Sequence, residues 1–493
     1  MSTEPKDQTD AGLSPASART RLSRRAVLAA SVGAAGACAG RAAADTPPNI
    51  VFIMADDLGY ADLSCYGRRE YETPHIDSLA RDGMRHLQAY ANSAVCSATR
   101  TALITGRYQY RLPVGLEEPI ALRDVGLPPS HPTLPSLLRD RGYQTALVGK
   151  WHLGSLPNYG PLKSGYDHFW GYRSGAIDYF THQGVMAPDL WDGETQIEQD
   201  GYLTDLLGQR ATEMISSLAK SDRPFFLSLH FSAPHWPWTG PDDEAESRRL
   251  AETGNPAALL HWDGGDLETY GAIVKRMDFQ VGRVLKALSE ARLEDNTIVV
   301  FTSDNGGERF SDTWPFSGKK THLLEGGIRV PSIVRWPEKL KAGAVSNDMV
   351  ISMDWAPTLL QACGAQMHPD FPADGVDIFQ RAGEPDLQER TLFWRYKNLS
   401  QEACRSGRWK YLKILDNTFL FDVVADPLER ANLKERHPDI FAELQRKYRA
   451  WNATMLPIDA LSYSHGFVGS EMADHFGLER NPDDMPRPAV KPE

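Results

Sequence analysis

Four oxygen-bearing side chains stand in two adjacent pairs, Asp56-Asp57 and Asp304-Asn305, and each pair closely follows a short apolar run. Carboxylate and amide oxygens delivered at two such points are what a hard divalent cation takes as ligands. Neither motif holds a His or Cys, which argues against zinc. Each pair alone reads as a turn former or helix cap. Two pairs, both ending apolar runs and both near other reactive residues, favour a metal. Cys96 is a reactive candidate of another kind. It opens Cys96-Ser97-Ala98-Thr99-Arg100, with small residues between the thiol and an arginine, where a helix is expected to start. A lone cysteine is ordinarily a small buried hydrophobe. Here its company is Lys150, His152 and His235, each just beyond an apolar run, and Lys320. Cations and a metal can neutralise an anionic ester before a nucleophile approaches it. Histidines can move protons near neutral pH.

The apolar runs themselves must position these residues. Residues 49–54 (NIVFIM), 145–148 (TALV), 225–231 (FFLSLHF) and 298–302 (IVVFT) read as short buried strands. Helical stretches separate them: 134–141, 202–220, and a helix whose apolar positions Ile273, Met277, Val281, Val284 and Leu288 step by three or four. Strands alternating with helices imply an α/β fold, a mainly parallel sheet flanked by helices on both faces. In such sheets the ligand site lies beyond the C-terminal ends of the strands, which is where Asp56, Lys150, His235 and Asp304 fall. The pattern changes after about residue 380. Residues 390–396, 409–415 and 418–423 read as strands joined by turns, and 438–451 reads as a helix. The expected organisation is a catalytic domain over 45–380, a smaller C-terminal α+β subdomain over 381–478, and a tail over 479–493.

The chain has 493 residues and a formal net charge of −12. Residues 1–44 carry six Lys/Arg and three Asp/Glu, so the rest carries about −15. An acidic body argues against nucleic acid as a partner, because phosphate backbones need a basic stripe. Residues 1–44 read as an export signal. Arg24-Arg25 precede the apolar run 26–37, and Ala42-Ala43-Ala44 offers a small-x-small cleavage site. The paired arginines resemble a twin-arginine signal, so a periplasmic or extracellular location is expected. No other run is long and apolar enough to cross a membrane. Of the five cysteines, Cys38 leaves with the signal, and Cys65, Cys96, Cys363 and Cys404 show no pairing pattern.

The segment Cys96–Arg100, followed by Thr105-Gly106-Arg107, resembles the active-site signature of the formylglycine-dependent, arylsulfatase-like type I sulfatases. The usual form is Cys-x-Pro-Ser-Arg; here Ala98 and Thr99 replace Pro and Ser. Further motifs resemble the same family in the same order: Ala55-Asp56-Asp57-Leu58-Gly59, Gly149-Lys150-Trp151-His152-Leu153-Gly154, Ala233-Pro234-His235, Ser303-Asp304-Asn305-Gly306-Gly307, and Lys320 with Glu325-Gly326-Gly327-Ile328-Arg329. Together they extend from about residue 49 to 337, and each alone is weak.

The resemblance implies an alkaline-phosphatase-like α/β fold and hydrolysis of sulfate monoesters, with a sulfated carbohydrate the expected substrate. It implies one Ca²⁺ held by Asp56, Asp57, Asp304, Asn305 and the modified Cys96. Cys96 is expected to be oxidised to formylglycine by a maturation enzyme. Its hydrated aldehyde then attacks sulfur with one hydroxyl and expels sulfate with the other. Arg100 and Lys150 are implied to stabilise that diol, His152 to act as its base, and His235 and Lys320 to hold the sulfate and assist the leaving oxygen. Two rivals stand beside this reading. One is a phosphate or phosphonate monoester hydrolase on the same scaffold, for which no extra His motif for a second metal is present. The other is a catalytically silent glycan-binding protein, which gives no reason for Lys150 and His152. The pocket rim is expected to include Trp236, Trp238, Trp314 and Arg395-Tyr396-Lys397, as platforms for a sugar or aryl ring or as loop packing.

Overall fold

Strand β1 (Asn49–Ala55) is buried along its whole length, as an apolar run covered on both faces must be. A computed structural model describes the chain over residues 47–116, 124–185 and 187–458. The expected export signal over 1–44, Cys38 and the expected tail over 479–493 lie outside the described residues, as does the end of the expected subdomain.

The main sheet holds β1, β2 (Met84–Tyr90), β3 (Gln144–Lys150), β4 (His168–Tyr172), β5 (Trp191–Asp192), β6 (Thr195–Gln196), β7 (Phe225–His230), β8 (Thr297–Ser303), β9 (Ser332–Arg335) and β10 (Ala344–Ile351). Its order is β10-β2-β9-β8-β1-β7-β3-β4-β5-β6. The centre, from β8 through β1, β7 and β3 to β4, is parallel. Strand β9 runs antiparallel between β8 and β2, and the short β5 and β6 are antiparallel at one edge. The mainly parallel sheet expected from the four apolar runs is therefore present, with its ends extended by strands of weaker pattern.

Side chains alternate across β1. Val51, Ile53 and Ala55 pack with the helices Pro74–Asp82, Leu203–Leu218 and Leu267–Glu290. Ile50, Phe52 and Met54 pack on the other face, with the helices Cys96–Thr105, Leu134–Asp140 and Trp355–Ala362. Full burial of one such side chain is worth about 1.5–3 kcal/mol, so this sandwich fixes β1 and the two aspartates at its end.

A second sheet follows, with strands β11 (Thr391–Tyr396), β12 (Gln401–Ser406), β13 (Trp409–Ile414) and β14 (Asn417–Asp422), antiparallel and in sequence order. The helix Pro438–Asn452 covers one face through Leu444 and Tyr448, which meet Cys404, Tyr411 and Leu420. The other face presents Trp394, Ala403, Leu412 and Phe421 to Tyr90, Ala98, Ala102 and Ile351. Ala98 and Ala102 belong to the helix that begins at Cys96, so the second sheet packs directly behind that helix. Among the described residues, Cys65, Cys96, Cys363 and Cys404 are free thiols, and no helix is long and apolar enough to cross a membrane.

Candidate active site

The chemistry-bearing residues converge at the C-terminal ends of the four central strands. Asp56-Asp57 follow β1, Asp304-Asn305 follow β8, Lys150 ends β3, and His235 lies five residues beyond β7. The helix Cys96–Thr105 aims its first residue at this point, and every one of its ten residues is buried. It ends at Gly106 with φ +66°, a left-handed cap suited to glycine. Gly149, at φ +114°, lets β3 approach β7 closely, because a Cβ there would lie 1.8 Å from the His230 carbonyl oxygen.

Cys96 Sγ lies 3.3 Å from Asp56 Oδ1 and 3.7 Å from Asp57 Oδ1. Lys150 Nζ donates to Asp56 Oδ2 at 2.6 Å. Lys320 Nζ donates to Asp57 Oδ2 at 2.7 Å. Arg100 grips Asp304 Oδ2 through Nε at 2.9 Å and NH2 at 2.8 Å. Asn305 donates to Asp57 Oδ1 at 2.7 Å, and its own Oδ1 is buried with no hydrogen-bond partner. His235 donates from Nδ1 to the Trp236 carbonyl at 2.8 Å, which leaves Nε2 to accept from Lys320 Nζ at 3.2 Å. His152 is buried with neither ring nitrogen hydrogen-bonded among the described residues.

The electrostatics follow from this burial. Burial pushes the Asp56 carboxyl up to about 8, against the pull of Lys150. Burial also pushes Asp304 up, but Arg100 and Lys150 together hold it below the usual carboxylate range. Burial first, and then the cations around them, hold His152 and His235 well below the ordinary histidine range, so both rings are neutral. Burial, helped by Asp304, pushes the Cys96 thiol well up, so an unmodified Cys96 stays protonated and is a poor nucleophile. Strain is stored at the same place. Asp57 has φ +63° and His152 φ +56°, conformations that cost about 1–3 kcal/mol each in a non-glycine residue.

Asp56, Asp57, Cys96 and His235 offer atoms within 4.8 Å of one another. With Asp304 and the unpartnered Asn305 oxygen beside them, the donor set is dominated by oxygen and fits a hard cation. The neighbouring Lys150, Lys320 and Arg100 occupy the carboxylates in a way a bound cation would share.

All the candidate residues therefore lie together: Asp56, Asp57, Cys96, Arg100, Lys150, His152, His235, Asp304, Asn305 and Lys320. The expected rim divides. Trp236 and Trp238 are buried in loop packing, whereas Trp314 is 65% exposed. Arg395 is buried, donates to Asn452 at 2.7 Å and stacks on Tyr110. Arg395, Tyr396 and Lys397 do line a shallow pocket with Ser93, Ser97 and Ala98.

A sulfatase family profile matches residues 48–365. The chain belongs to the sulfatase family. A second profile, the C-terminal domain of N-sulphoglucosamine sulphohydrolase, matches residues 316–453. The chain is 30% identical to mouse steryl-sulfatase, over 86% of this chain and 85% of that protein. It is 31% identical to dog N-acetylgalactosamine-6-sulfatase, over 81% of this chain and 76% of that protein. A crystal structure of Ps i-CgsB superposes with a TM-score of 0.77 at 27% identity, covering 87% of this chain and 98% of that one. The protein is a sulfuric ester hydrolase.

Three further residues support this sulfatase site, and of these only Glu325 lies in a motif that the sequence singles out. Gly175 makes room for His152, because a Cβ there would lie 2.7 Å from the imidazole. Glu325, in the short helix after Lys320, is buried and accepts from Lys410 at 3.0 Å, Arg329 at 3.1 Å and the Tyr90 hydroxyl at 2.6 Å. Glu308, three residues after Asn305, is buried beside the cluster. Only its proximity to the Asp304-Asn305 motif could have drawn attention to it.

Proposed function

We propose that the enzyme hydrolyses sulfate monoesters of carbohydrates, with Cys96 converted to formylglycine and one Ca²⁺ at the oxygen cluster. The observation that carries this reading is the position of Cys96 Sγ, 3.3 Å from Asp56, inside a closed ring of acids, cations and neutral histidines. When bound, Ca²⁺ would be held by Asp56, Asp57, Asp304, Asn305 and residue 96, and would supply positive charge to the ester and the nucleophile. When formed, the hydrated aldehyde would supply a hydroxyl to attack sulfur and a second to release sulfate.

The chain's own residues do the rest in this reading. Asp56, Asp57 and Asp304 are paired with Lys150, Lys320 and Arg100; a bound cation would draw the raised Asp56 carboxyl into its ionised form, and the protein part of the site would then be close to neutral. A divalent cation then leaves room for a sulfate monoanion and an ionised oxygen at residue 96. His152, neutral and with free ring nitrogens, takes the proton from residue 96. Arg100 and Lys150 hold that side chain in place. His235 and Lys320 bind the sulfate and protonate the departing oxygen. Burial of the whole cluster keeps water from competing.

Support for a carbohydrate substrate comes from the relatives: N-acetylgalactosamine-6-sulfatase among them, and a Ps i-CgsB structure in complex with k-i-k-neocarrahexaose. The signal-like residues 1–44 support export after maturation by a formylglycine-generating enzyme. The 45–380 and 381–478 division is likewise proposed. The test is sulfate release by purified protein from defined sulfated sugars beside matched phosphate esters. Turnover of the phosphate esters alone would replace this reading with the phosphatase one.

A further inference from the structure

Glu308 is 7% exposed, and among the described residues no donor reaches its Oε2. Its place is fixed by the backbone. The Ser311 amide donates to the Glu308 carbonyl at 2.8 Å, and the Lys320 amide donates to the adjoining Gly307 carbonyl at 2.9 Å. The Glu308 backbone is thereby held next to that of Lys320. Of the charges that act on its carboxyl, Lys320 is the strongest and Asp57 the next, ahead of Arg309 and Lys319. Burial, opposed by Lys320, pushes that carboxyl up to about 7.

An acceptor buried without a donor costs free energy, and buried polar groups are almost always paired. Most nearby donors serve other acceptors, and Arg309 Nε, itself unpartnered, does not reach Glu308. Lys320 Nζ serves Asp57 and His235. Arg309 donates to the carbonyls of His261 and Trp262 and lies over the Trp238 ring at 3.9 Å. Ser311 Oγ donates to Asp62 at 2.6 Å. A donor group that reaches the neighbourhood of Lys320 would pair this acceptor. The substrate does so in the reading above, since Lys320 and His235 serve its ester oxygen.

We infer that Glu308 is a specificity-determining residue that accepts a hydrogen bond from a hydroxyl or amide N–H of the substrate, close to the ester oxygen. This rests on the proposed carbohydrate substrate. A sugar carries such a donor next to the sulfate, and a simple aryl sulfate does not. A hydrogen bond to a buried carboxyl acceptor discriminates strongly, because the analogue lacking the donor leaves the acceptor unpaired.

The test uses nitrophenyl sulfate and the monosulfated methyl galactosides and glucosaminides, each beside the analogue lacking the hydroxyl nearest the ester. For the sugar turned over best, wild type should prefer the parent over its deoxy analogue by roughly 10- to 100-fold in kcat/KM. In Glu308→Ala that preference should collapse to about one. Glu308→Gln keeps the volume and a neutral acceptor, and its preference should fall about threefold or more below that of wild type without vanishing. It also serves as the reading if the alanine variant fails to fold. An unchanged preference in the variants would overturn the role of Glu308 alone. Wild type that cleaves nitrophenyl sulfate and none of the sugars would instead overturn the carbohydrate reading.

Discussion

Lys320 Nζ donates to His235 Nε2 across 3.2 Å. His235 spends its own proton on the Trp236 carbonyl, so any proton it passes through Nε2 is supplied by Lys320. The two residues then form one acid rather than two. His235→Ala and Lys320→Ala should each lose roughly 10²–10⁴ in kcat/KM on a sulfated sugar, whose alkoxide leaves poorly. Both should lose distinctly less on nitrophenyl sulfate. The double variant should fall far short of the product of the single losses. Losses that multiply would separate the two roles, and equal losses on both substrates would reduce them to sulfate binding.

Asp304 holds Arg100 and faces the oxygen cluster, so its loss should empty the metal site. Elemental analysis should find one calcium per chain in wild type and none in Asp304→Ala, with activity lost in parallel. Chelation of wild type should lower its Tm, because a ligand at 100 times its Kd stabilises the fold by about 2.7 kcal/mol. Stoichiometric zinc, or two metals per chain, would contradict the single hard-cation site.

Lys410 on β13 is fully buried between Glu325 at 3.0 Å and Glu429 at 2.9 Å. It joins the second sheet to the segment that follows Lys320. Removing one member of a buried ion network leaves the others uncompensated, at a cost of roughly 3–5 kcal/mol. Lys410→Met should lose that much in unfolding free energy, measured by denaturant titration. A loss well under 1 kcal/mol would show that the network contributes little.

His86 on β2 is buried against Trp355, and neither ring nitrogen finds a hydrogen bond among the described residues. Burial, opposed by Asp348, lowers its pKa from 6.5 to about 4. Between those values the unfolded chain binds a proton that the folded one refuses, so stability falls as pH drops through this window. Below about 4 both states are protonated and the loss levels off. The loss is on the order of 3 kcal/mol. His86→Leu should show a shallower decline between pH 6.5 and 4 than wild type, by equilibrium unfolding at several pH values. Parallel curves would show that His86 does not titrate in this range.

The main-sheet strands that were legible in sequence are those buried along almost their whole length. Strands β1, β3, β7 and β8 are covered on both faces, so each reads as an unbroken apolar run. Strands β2 and β10 are half-buried and carry Arg85, His86, Gln88, Asn347 and Asp348, and that mixed pattern hid them. Strand β12 was missed for a similar reason, because Gln401, Arg405 and Ser406 serve the packed interior and its network rather than an apolar face. The cluster around Cys96 was legible because its chemistry sits in short motifs at strand ends. Gly175, Glu308 and the Lys410 partnership with Glu325 were not. Each depends on a contact made by the fold across a long stretch of chain, or on an empty space beside a side chain, and neither leaves a local pattern.

The central claim is that residue 96 acts as formylglycine. Mass spectrometry of the peptide containing residue 96, taken from an active preparation, tests it most directly. The account predicts a peptide carrying the aldehyde or its hydrate, in a fraction that scales with specific activity across preparations. Cys96→Ala should be folded and inactive. An active preparation in which residue 96 is entirely unmodified cysteine would contradict the account.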